Sequence, residues 1–177
     1  MTDFLDEVAS AHPVPAGGSV AAHTVAAAAG LLAKTAHRSV RVYPEAGIAE
    51  TRAESLRRRA DLLAEEDVQA FRALQAAERS ARDLDGPERE AIVGPARSRA
   101  AEVPLLVARA AAEVARLASD LVAHGNPRLA GDAIIAGLLA AAAAEGSARL
   151  IAINLAAVPQ DPRITEAAHL ASTARVL

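Results

Sequence analysis

The sequence predicts an all-α protein, an up-and-down bundle of about five to six helices whose core helices are rich in alanine. Hydrophobic residues make up 52% of the chain but aromatic residues only 2%, so alanine supplies most of the apolar content. Alanine is the best helix former, whereas strands favour β-branched and aromatic side chains. Clusters of glycine and proline divide the chain into helix-length segments, as expected for a bundle with short connections.

Length, charge and cysteine content further narrow the class of protein to which this chain can belong. The 177 residues are expected to form one domain over positions 1–177, large enough to bury a core without disulfides. A formal net charge of −3 gives no basic surface of the kind that binds nucleic acid. Cysteine is absent, which excludes disulfides and cysteine metal sites and fits the cytoplasmic location that we expect. The first residues lack the basic and apolar regions of an export signal.

Two apolar runs, Val20–Ala33 and Ala133–Ala144, need comparison with membrane spans. Both are shorter than the roughly 18–20 residues that a span requires, and His23 interrupts the first. We therefore expect both runs to be buried core helices, and we expect no membrane partner.

The first half of the chain is predicted to contain three helices. A short helix over Thr2–Ala11 ends at the proline- and glycine-containing stretch His12–Gly18. A second helix covers about Ser19–Arg38, with its serine as the N-cap. A loop at Tyr43–Gly47 precedes a long third helix over roughly Ala49–Ala81.

The second half is predicted to contain a long helical stretch and two further helices. A turn at Asp85–Pro87 precedes the fourth stretch, over about Glu88–His124. Gly125–Pro127 then ends one helix and caps the next, which runs to about Leu155. Val158–Pro162 separates it from a short helix that reaches the end of the chain. The fourth stretch contains two prolines that are expected to interrupt or kink it, Pro95 and Pro104.

One acidic residue falls on the apolar stripe of the third helix. That stripe has steps of three or four residues, at Leu56, Ala60, Leu63, Ala70 and Leu74. Asp67 lies in the middle of it, where a carboxylate costs several kcal/mol unless it is paired, hydrated or protonated. Asp67 is therefore either a cleft carboxylate whose raised pKa suits acid–base chemistry, or a structural acid satisfied by an arginine or a backbone donor.

The fifth helix carries polar residues at both ends of an apolar face. Asp132 and Asn154 share that face with residues that are almost all apolar, among them Ala136, Leu139, Ala143 and Leu150. Asp132 has either a functional role or only a favourable position near the positive end of the helix dipole. Asn154 either orients a ligand or satisfies nearby backbone groups.

Other patterns give weaker indications. Gly17-Gly18-Ser19 before an apolar helix could present free N–H groups to an anion or a carbonyl, although Gly-Gly turns are common. No pair among the five histidines has the spacing of a helical zinc site beside a carboxylate, so we expect no metal. No serine has the G-x-S-x-G context of a hydrolase elbow.

Five short segments follow one another along nearly the whole chain. They are PVPAGGSVAA at Pro13–Ala22, DVQAF at Asp67–Phe71, VPL at Val103–Leu105, GNPRLAGD at Gly125–Asp132 and INL at Ile153–Leu155. In this order and spacing the set resembles the cyclodeaminase/cyclohydrolase family of folate enzymes. That family includes formiminotetrahydrofolate cyclodeaminase domains and methenyltetrahydrofolate cyclohydrolases.

The sequence departs from the family pattern at three places. Ala16 replaces the first glycine of a glycine triple, and Gly131 replaces the serine before Asp132. A basic G-K-K-K-Y-like loop is reduced to Arg41-Val42-Tyr43. These differences keep a divergent substrate, or a member without activity, among the alternatives.

The resemblance implies an enzyme that hydrolyses the methenyl bridge of 5,10-methenyltetrahydrofolate to 10-formyltetrahydrofolate by acid–base catalysis, without a metal or a bound cofactor. It implies Asp67 as the acid–base group and Asp132 as a second catalytic residue that orients the substrate or assists proton transfer. It also implies a set of substrate-binding residues: Gly17, Gly18, Ser19, Arg38, Arg41, Tyr43, Asn126 and Asn154. Family members form homodimers with small-residue helices near the interface, so we expect a homodimer.

Three alternative functions stay open. The first is formiminotetrahydrofolate cyclodeaminase, which releases ammonia; we favour the cyclohydrolase because no formiminotransferase segment accompanies this one. The second is a non-catalytic helical scaffold or ligand binder. The third is a purely structural bundle, in which both Asp67 and Asp132 would be paired with arginines.

Overall fold

The computed structural model describes residues 2–175 and consists of helices joined by short turns. The helices are α1 (Thr2–Val8), α2 (Gly17–His37), α3 (Ala46–Ser80), α4 (Gly86–His124), α5 (Ala130–Asn154) and α6 (Pro162–Ala174). A 3-10 turn over Pro127–Leu129 leads into α5. The part of the chain so described contains no strand, and the predicted all-α fold is confirmed. That positions 1–177 form one domain stays a prediction.

Four helices form the body of the bundle. Each of α2, α3, α4 and α5 packs against the next along the chain, and α5 packs back against α2, so that α2 and α4 lie on a diagonal. Helix α6 covers α4 and α5. Alanines occupy much of the contact faces, for example Ala22, Ala28 and Ala29 of α2, all fully buried. Small side chains shorten the distance between helix axes, which is how an alanine-rich chain builds a close-packed core.

Several helix boundaries differ from those predicted. Helix α1 ends at Val8 rather than Ala11. Helix α3 begins at Ala46, because the N–H groups of Ala46 and Gly47 donate to the carbonyls of Tyr43 and Pro44 and the preceding turn winds directly into the helix. The terminal helix ends at Ala174, and residues 176 and 177 lie outside the described part of the chain.

The predicted N-cap of α2 is wrong. The helix begins at Gly17, so Ser19 is a residue of its first turn, and the capping position falls on Ala16. Alanine has no side-chain acceptor, and the first turn of α2 therefore receives no cap from its own chain segment.

Helix α4 continues through both prolines, and the prediction that they interrupt it is wrong. A proline removes the donor for the carbonyl four residues earlier, here those of Ala91 and Ala100. Ala91 and Pro95 are exposed, which leaves that carbonyl to water. Ala100 and Pro104 are buried, and the Ala100 carbonyl accepts a side-chain hydrogen bond described below. The helix can continue because one freed carbonyl is open to solvent and the other accepts a side-chain hydrogen bond.

Helix α5 is buried on one face only, whereas its apolar run was expected to be a buried core helix. The buried face consists of small residues except for Ile151, and the opposite face exposes Ile134, Ile135, Leu138 and Leu139 by 37–52%. The segment Pro127–Asn154 is long and apolar enough to cross a membrane by length and composition alone, and 39% of its most apolar window is buried. The apolar run of α2, by contrast, supplies much of the core.

Two fully buried serines differ in their hydrogen bonding. The Ser39 hydroxyl donates to the Thr35 carbonyl at 2.8 Å and accepts from the Asn126 backbone N–H at 3.0 Å. The Ser147 hydroxyl, in α5, has no partner among the residues that the structure describes. A buried polar group that lacks a partner destabilises the folded state, whereas a bonded one ties two segments together.

We therefore expect opposite effects from two matched substitutions. Ser147→Ala should leave the free energy of unfolding unchanged or raise it by up to about 1 kcal/mol, because it removes an unsatisfied hydroxyl. Ser39→Ala should lower it by about 1–3 kcal/mol, because the Asn126 N–H loses its acceptor. Urea unfolding followed by circular dichroism measures both. Equal destabilisation by the two variants would contradict this assignment.

Candidate active site

The carboxylate of Asp67, from the middle of α3, lies against the first turn of α2. The Ser19 hydroxyl donates to Asp67 Oδ2 at 3.1 Å, and the Ser19 backbone N–H also bonds to this carboxylate. The first N–H groups of a helix lack partners within the helix and carry the positive end of its dipole. Asp67 therefore acts as the cap that Ala16 does not supply, although it lies 48 residues after Ser19 in the sequence.

Gly18 allows this close approach. A Cβ atom added to Gly18 would overlap all three terminal atoms of the Asp67 carboxylate, well inside van der Waals contact. At Gly17, the neighbouring position, an added Cβ would meet nothing within 4 Å. The two adjacent glycines thus have different roles: Gly18 makes room for the carboxylate, and Gly17 does not.

Asp67 is held in an environment that favours its protonated form. Desolvation by burial raises its pKa above the usual value for aspartate, and the two hydrogen bonds from Ser19 oppose that shift only in part. Among the described residues, no arginine, lysine or histidine forms an ion pair with it. The alternative that an arginine satisfies Asp67 is therefore wrong, and its donors come from Ser19.

A small cleft of about 80 Å³ opens beside this carboxylate. It lies where the N-terminus of α2 meets α3, α4 and α5, and its lining residues are Ala16, Gly17, Gly18, Asp67, Phe71, Ala100, Pro104, Leu150 and Asn154. On the other side, Ser19 lines a wider groove of about 580 Å³ beneath α1, together with His12, His23 and Arg72. Asp67 and Ser19 thus stand between a narrow cleft and a larger groove, both of them mostly apolar.

Asn154 is anchored to the wall of the cleft. Its side-chain nitrogen donates to the Ala100 carbonyl at 2.7 Å. That carbonyl is the one whose helical donor is missing because residue 104 is a proline. The backbone role that was one of two alternatives for Asn154 is therefore present, and the residue lines the cleft as well.

The remaining predicted site residues lie at the opposite end of α2. Asp132 is 3.6 Å from the Lys34 ammonium, so its partner is a lysine and not an arginine. Ser19 and Lys34 are 15 residues apart on one helix, which separates the two carboxylates by about 22 Å along its axis. Within one protomer Asp67 and Asp132 do not meet.

This second group also has its own local structure. Asn126 caps the 3-10 turn by accepting from the Arg128 N–H at 3.1 Å, as its position in a stop-and-start signal predicted. Tyr43 packs against His124 with ring centroids 5.5 Å apart. Arg38 and Arg41 are exposed beside the end of α2. Four of the ten predicted residues therefore line the cleft, namely Gly17, Gly18, Asp67 and Asn154. Ser19 bonds to Asp67 beside it, and the other five residues lie at the far end of α2.

Sequence reasoning missed several parts of the site. Phe71 and Leu150 line the cleft, and Arg72 and His12 line the groove, although none was selected. Pro104 could have been identified from the sequence, because a proline inside a helix leaves the carbonyl four residues earlier without its helical donor. Within residues 4–175 no cluster of three or more histidine and acidic side chains is arranged to hold a metal ion; absence of a metal and of a cofactor stays a prediction.

Comparison with known proteins identifies the family and the fold. Residues 1–172 match the family model described as formiminotransferase-cyclodeaminase. A methenyltetrahydrofolate cyclohydrolase of Methylorubrum extorquens is 31% identical over 159 residues, covering 85% of this chain and 76% of the relative. The crystal structure of a formiminotetrahydrofolate cyclodeaminase from Thermotoga maritima superposes with a TM-score of 0.86 at 24% identity, covering 98% of this chain and 89% of that one.

These matches define a helical protein of the cyclodeaminase type. The chain belongs to the formiminotransferase-cyclodeaminase family, and the family predicted from the sequence is confirmed. Both relatives bear the names of enzymes that act on tetrahydrofolate derivatives. The structural match independently supports the fold, since it extends over nearly the whole chain.

The paired glycines give a test of the site geometry. Gly18→Ala should force the Asp67 carboxylate away from α2 and lower the free energy of unfolding by about 1–2 kcal/mol, through loss of the Ser19 hydrogen bonds. Gly17→Ala should leave it unchanged or raise it by about 0.5–1 kcal/mol, because alanine is the better helix former. Denaturant unfolding of both variants measures the difference, and a tolerated Gly18→Ala would contradict the close approach.

Proposed function

We propose that this chain hydrolyses the methenyl bridge of 5,10-methenyltetrahydrofolate to 10-formyltetrahydrofolate, with Asp67 as the acid–base group. The observation that carries the proposal is the Asp67 carboxylate itself, which faces a cleft, lacks a cationic partner among the described residues and has a raised pKa. The relative named as a methenyltetrahydrofolate cyclohydrolase supports the choice of reaction. We also propose that the protein is located in the cytoplasm, with which a cysteine-free chain is compatible.

The chemistry requires a base that later acts as an acid. A water attacks the methenyl carbon, which lies between two nitrogens of a cation, and Asp67 takes one proton from that water. Asp67 then returns the proton to the ring nitrogen as its bond to the former methenyl carbon breaks. The hydroxyl proton on that carbon is released to solvent as the formyl group forms. One proton is thus produced for each cation hydrolysed, and Asp67 ends in its starting state.

The electrostatics of the cleft suit a cationic substrate. An ionised carboxylate that is partly desolvated, with no competing cation in the described part of the chain, attracts the positive methenyl group. The cleft itself, at about 80 Å³, has room for the bridge and a water but not for the remainder of a folate. The adjoining groove of about 580 Å³ is the part of the surface that we assign to the rest of the substrate, with Arg72 available for a carboxylate.

The base is tested by following the decay of methenyltetrahydrofolate absorbance against buffer. Asp67→Asn should lose about 10²–10⁴-fold of the acceleration, the range for loss of a general base. In the wild type, acceleration should fall as the pH drops through the raised pKa of Asp67, because a protonated carboxyl cannot accept the water proton. This fall in acceleration at low pH should be absent in Asp67→Asn.

Asp120→Asn is the matched control. Asp120 is an acid of α4 that forms an ion pair with Arg116 at 2.9 Å and does not line the cleft. Full turnover by Asp67→Asn would end the proposed role of Asp67. Ammonia release from formiminotetrahydrofolate, without methenyl hydrolysis, would favour the cyclodeaminase. Folate binding without turnover of either compound would favour the non-catalytic alternative.

We also propose that two copies associate through the exposed apolar face of α5. Helices α2 and α5 are antiparallel, since Gly18 shares the cleft with Asn154 while Lys34 contacts Asp132. A two-fold axis through the middle of this face would bring the Asp132 end of one copy over the Asp67 end of its partner. In this arrangement Asp132 of one copy could act at the cleft of the other copy, which it cannot do within one protomer.

The association is tested by sedimentation velocity. The wild type should sediment as a dimer, and Leu138→Asp should be monomeric, because it introduces a charge in the centre of the α5 face, where Leu138 is 52% exposed. Leu62→Asp, at a similarly exposed leucine of α3, should remain dimeric. A monomeric wild type that co-sediments with phospholipid vesicles would instead assign the face to a membrane.

A further inference from the structure

A proline and an asparagine 50 residues apart in sequence are coupled at the wall of the cleft. Pro104 is buried inside α4 and has no N–H, so the Ala100 carbonyl has no helical donor. Asn154, from the last turn of α5, donates to that carbonyl at 2.7 Å. The hydrogen bond thus replaces the one that the proline removes.

This contact fixes which way the Asn154 amide points. A backbone carbonyl only accepts hydrogen bonds, so the amide nitrogen must face Ala100 and the amide oxygen must face away. Across residues 4–175 no donor reaches the Asn154 oxygen, and that atom is not among the buried side-chain atoms without a partner, so it is accessible. Asn154, Pro104 and Asp67 line the same cleft of about 80 Å³.

We propose that Pro104 is a positioning residue for the reaction, which acts through the Ala100 carbonyl to hold the Asn154 oxygen as an acceptor in the cleft. The attacking water has two protons, and the ionised Asp67 accepts one of them. The Asn154 oxygen accepts a hydrogen bond from the other proton, which stays on the water, and so orients the water lone pair towards the methenyl carbon. A cleft of about 80 Å³ is large enough to admit a water, so one water can contact both groups. This inference rests on the proposed function.

Pro95 provides a matched control in the same helix. It also lies inside α4 and also removes one backbone donor, but the residue that it affects, Ala91, is exposed to water. A substitution that restores an N–H at position 104 therefore changes the partner of Asn154, whereas the same substitution at position 95 changes only a solvated carbonyl.

The kinetic test compares Pro104→Ala, Pro95→Ala and Asn154→Ala. In Pro104→Ala the new N–H satisfies Ala100 and releases the amide, so kcat should fall about tenfold or more with KM changed less than threefold. Asn154→Ala should lower kcat at least as much, and the double variant should be no slower than Asn154→Ala alone. Pro95→Ala should retain wild-type kcat. A Pro104→Ala enzyme with normal kcat would overturn the proposal.

A stability cycle tests the coupling without any need for activity. Asn154→Ala should lower the melting temperature by about 2–6 °C in the wild type, because the Ala100 carbonyl loses its donor. In the Pro104→Ala background the same change should lower it by less than half as much. Additive effects would overturn the coupling even in an active enzyme. If the wild type has no turnover while the cycle is non-additive, the proposed function fails and the anchoring of Asn154 remains.

Discussion

The contact between the Asp67 carboxylate and the first turn of α2 brings together the parts of the structure that matter for chemistry. Helix α2 begins without a cap of its own, and Asp67 supplies that cap from α3, which requires a residue without a side chain at Gly18. Burial raises the pKa of Asp67, so folding favours its protonated form. Its contribution to stability is thus present at low pH and lost as the pH rises through the folded-state pKa. The ionised state that the proposed base requires is therefore the state that folding disfavours.

The arrangement of the two groups of polar residues follows from the length of α2. A helix of 21 residues is about 32 Å long, so residues at its ends cannot share a small substrate group. The motif residues at the far end, which include Asp132 and its partner Lys34, nevertheless lie on the same antiparallel pair of helices as the cleft. Between the two ends stands the exposed apolar face of α5, so the surface suited to association is also the surface that separates them.

Much of the fold was predictable because the relevant signals are local. Alanine content predicted helices, and glycine and proline clusters located most of their ends. Periodicity identified Asp67 as a carboxylate on an apolar face, because a single helix determines that property. It could not predict the distance between Asp67 and Asp132, which depends on how three helices pack. Nor could it predict that α4 continues through Pro104, because the compensating donor, Asn154, comes from another helix.

The departures from the family pattern fall outside the residues proposed for proton transfer. Ala16 adds a methyl group at the edge of the cleft, whereas Gly18, the glycine against which Asp67 packs, is retained. Gly131 and the shortened basic loop at Arg41–Tyr43 both belong to the far end of α2. Asp67, Ser19, Pro104 and Asn154, which create the cleft and orient its polar atoms, match the pattern. The residues proposed for proton transfer thus agree with the family pattern, and two of the three departures lie at the far end of α2, about 22 Å from the cleft.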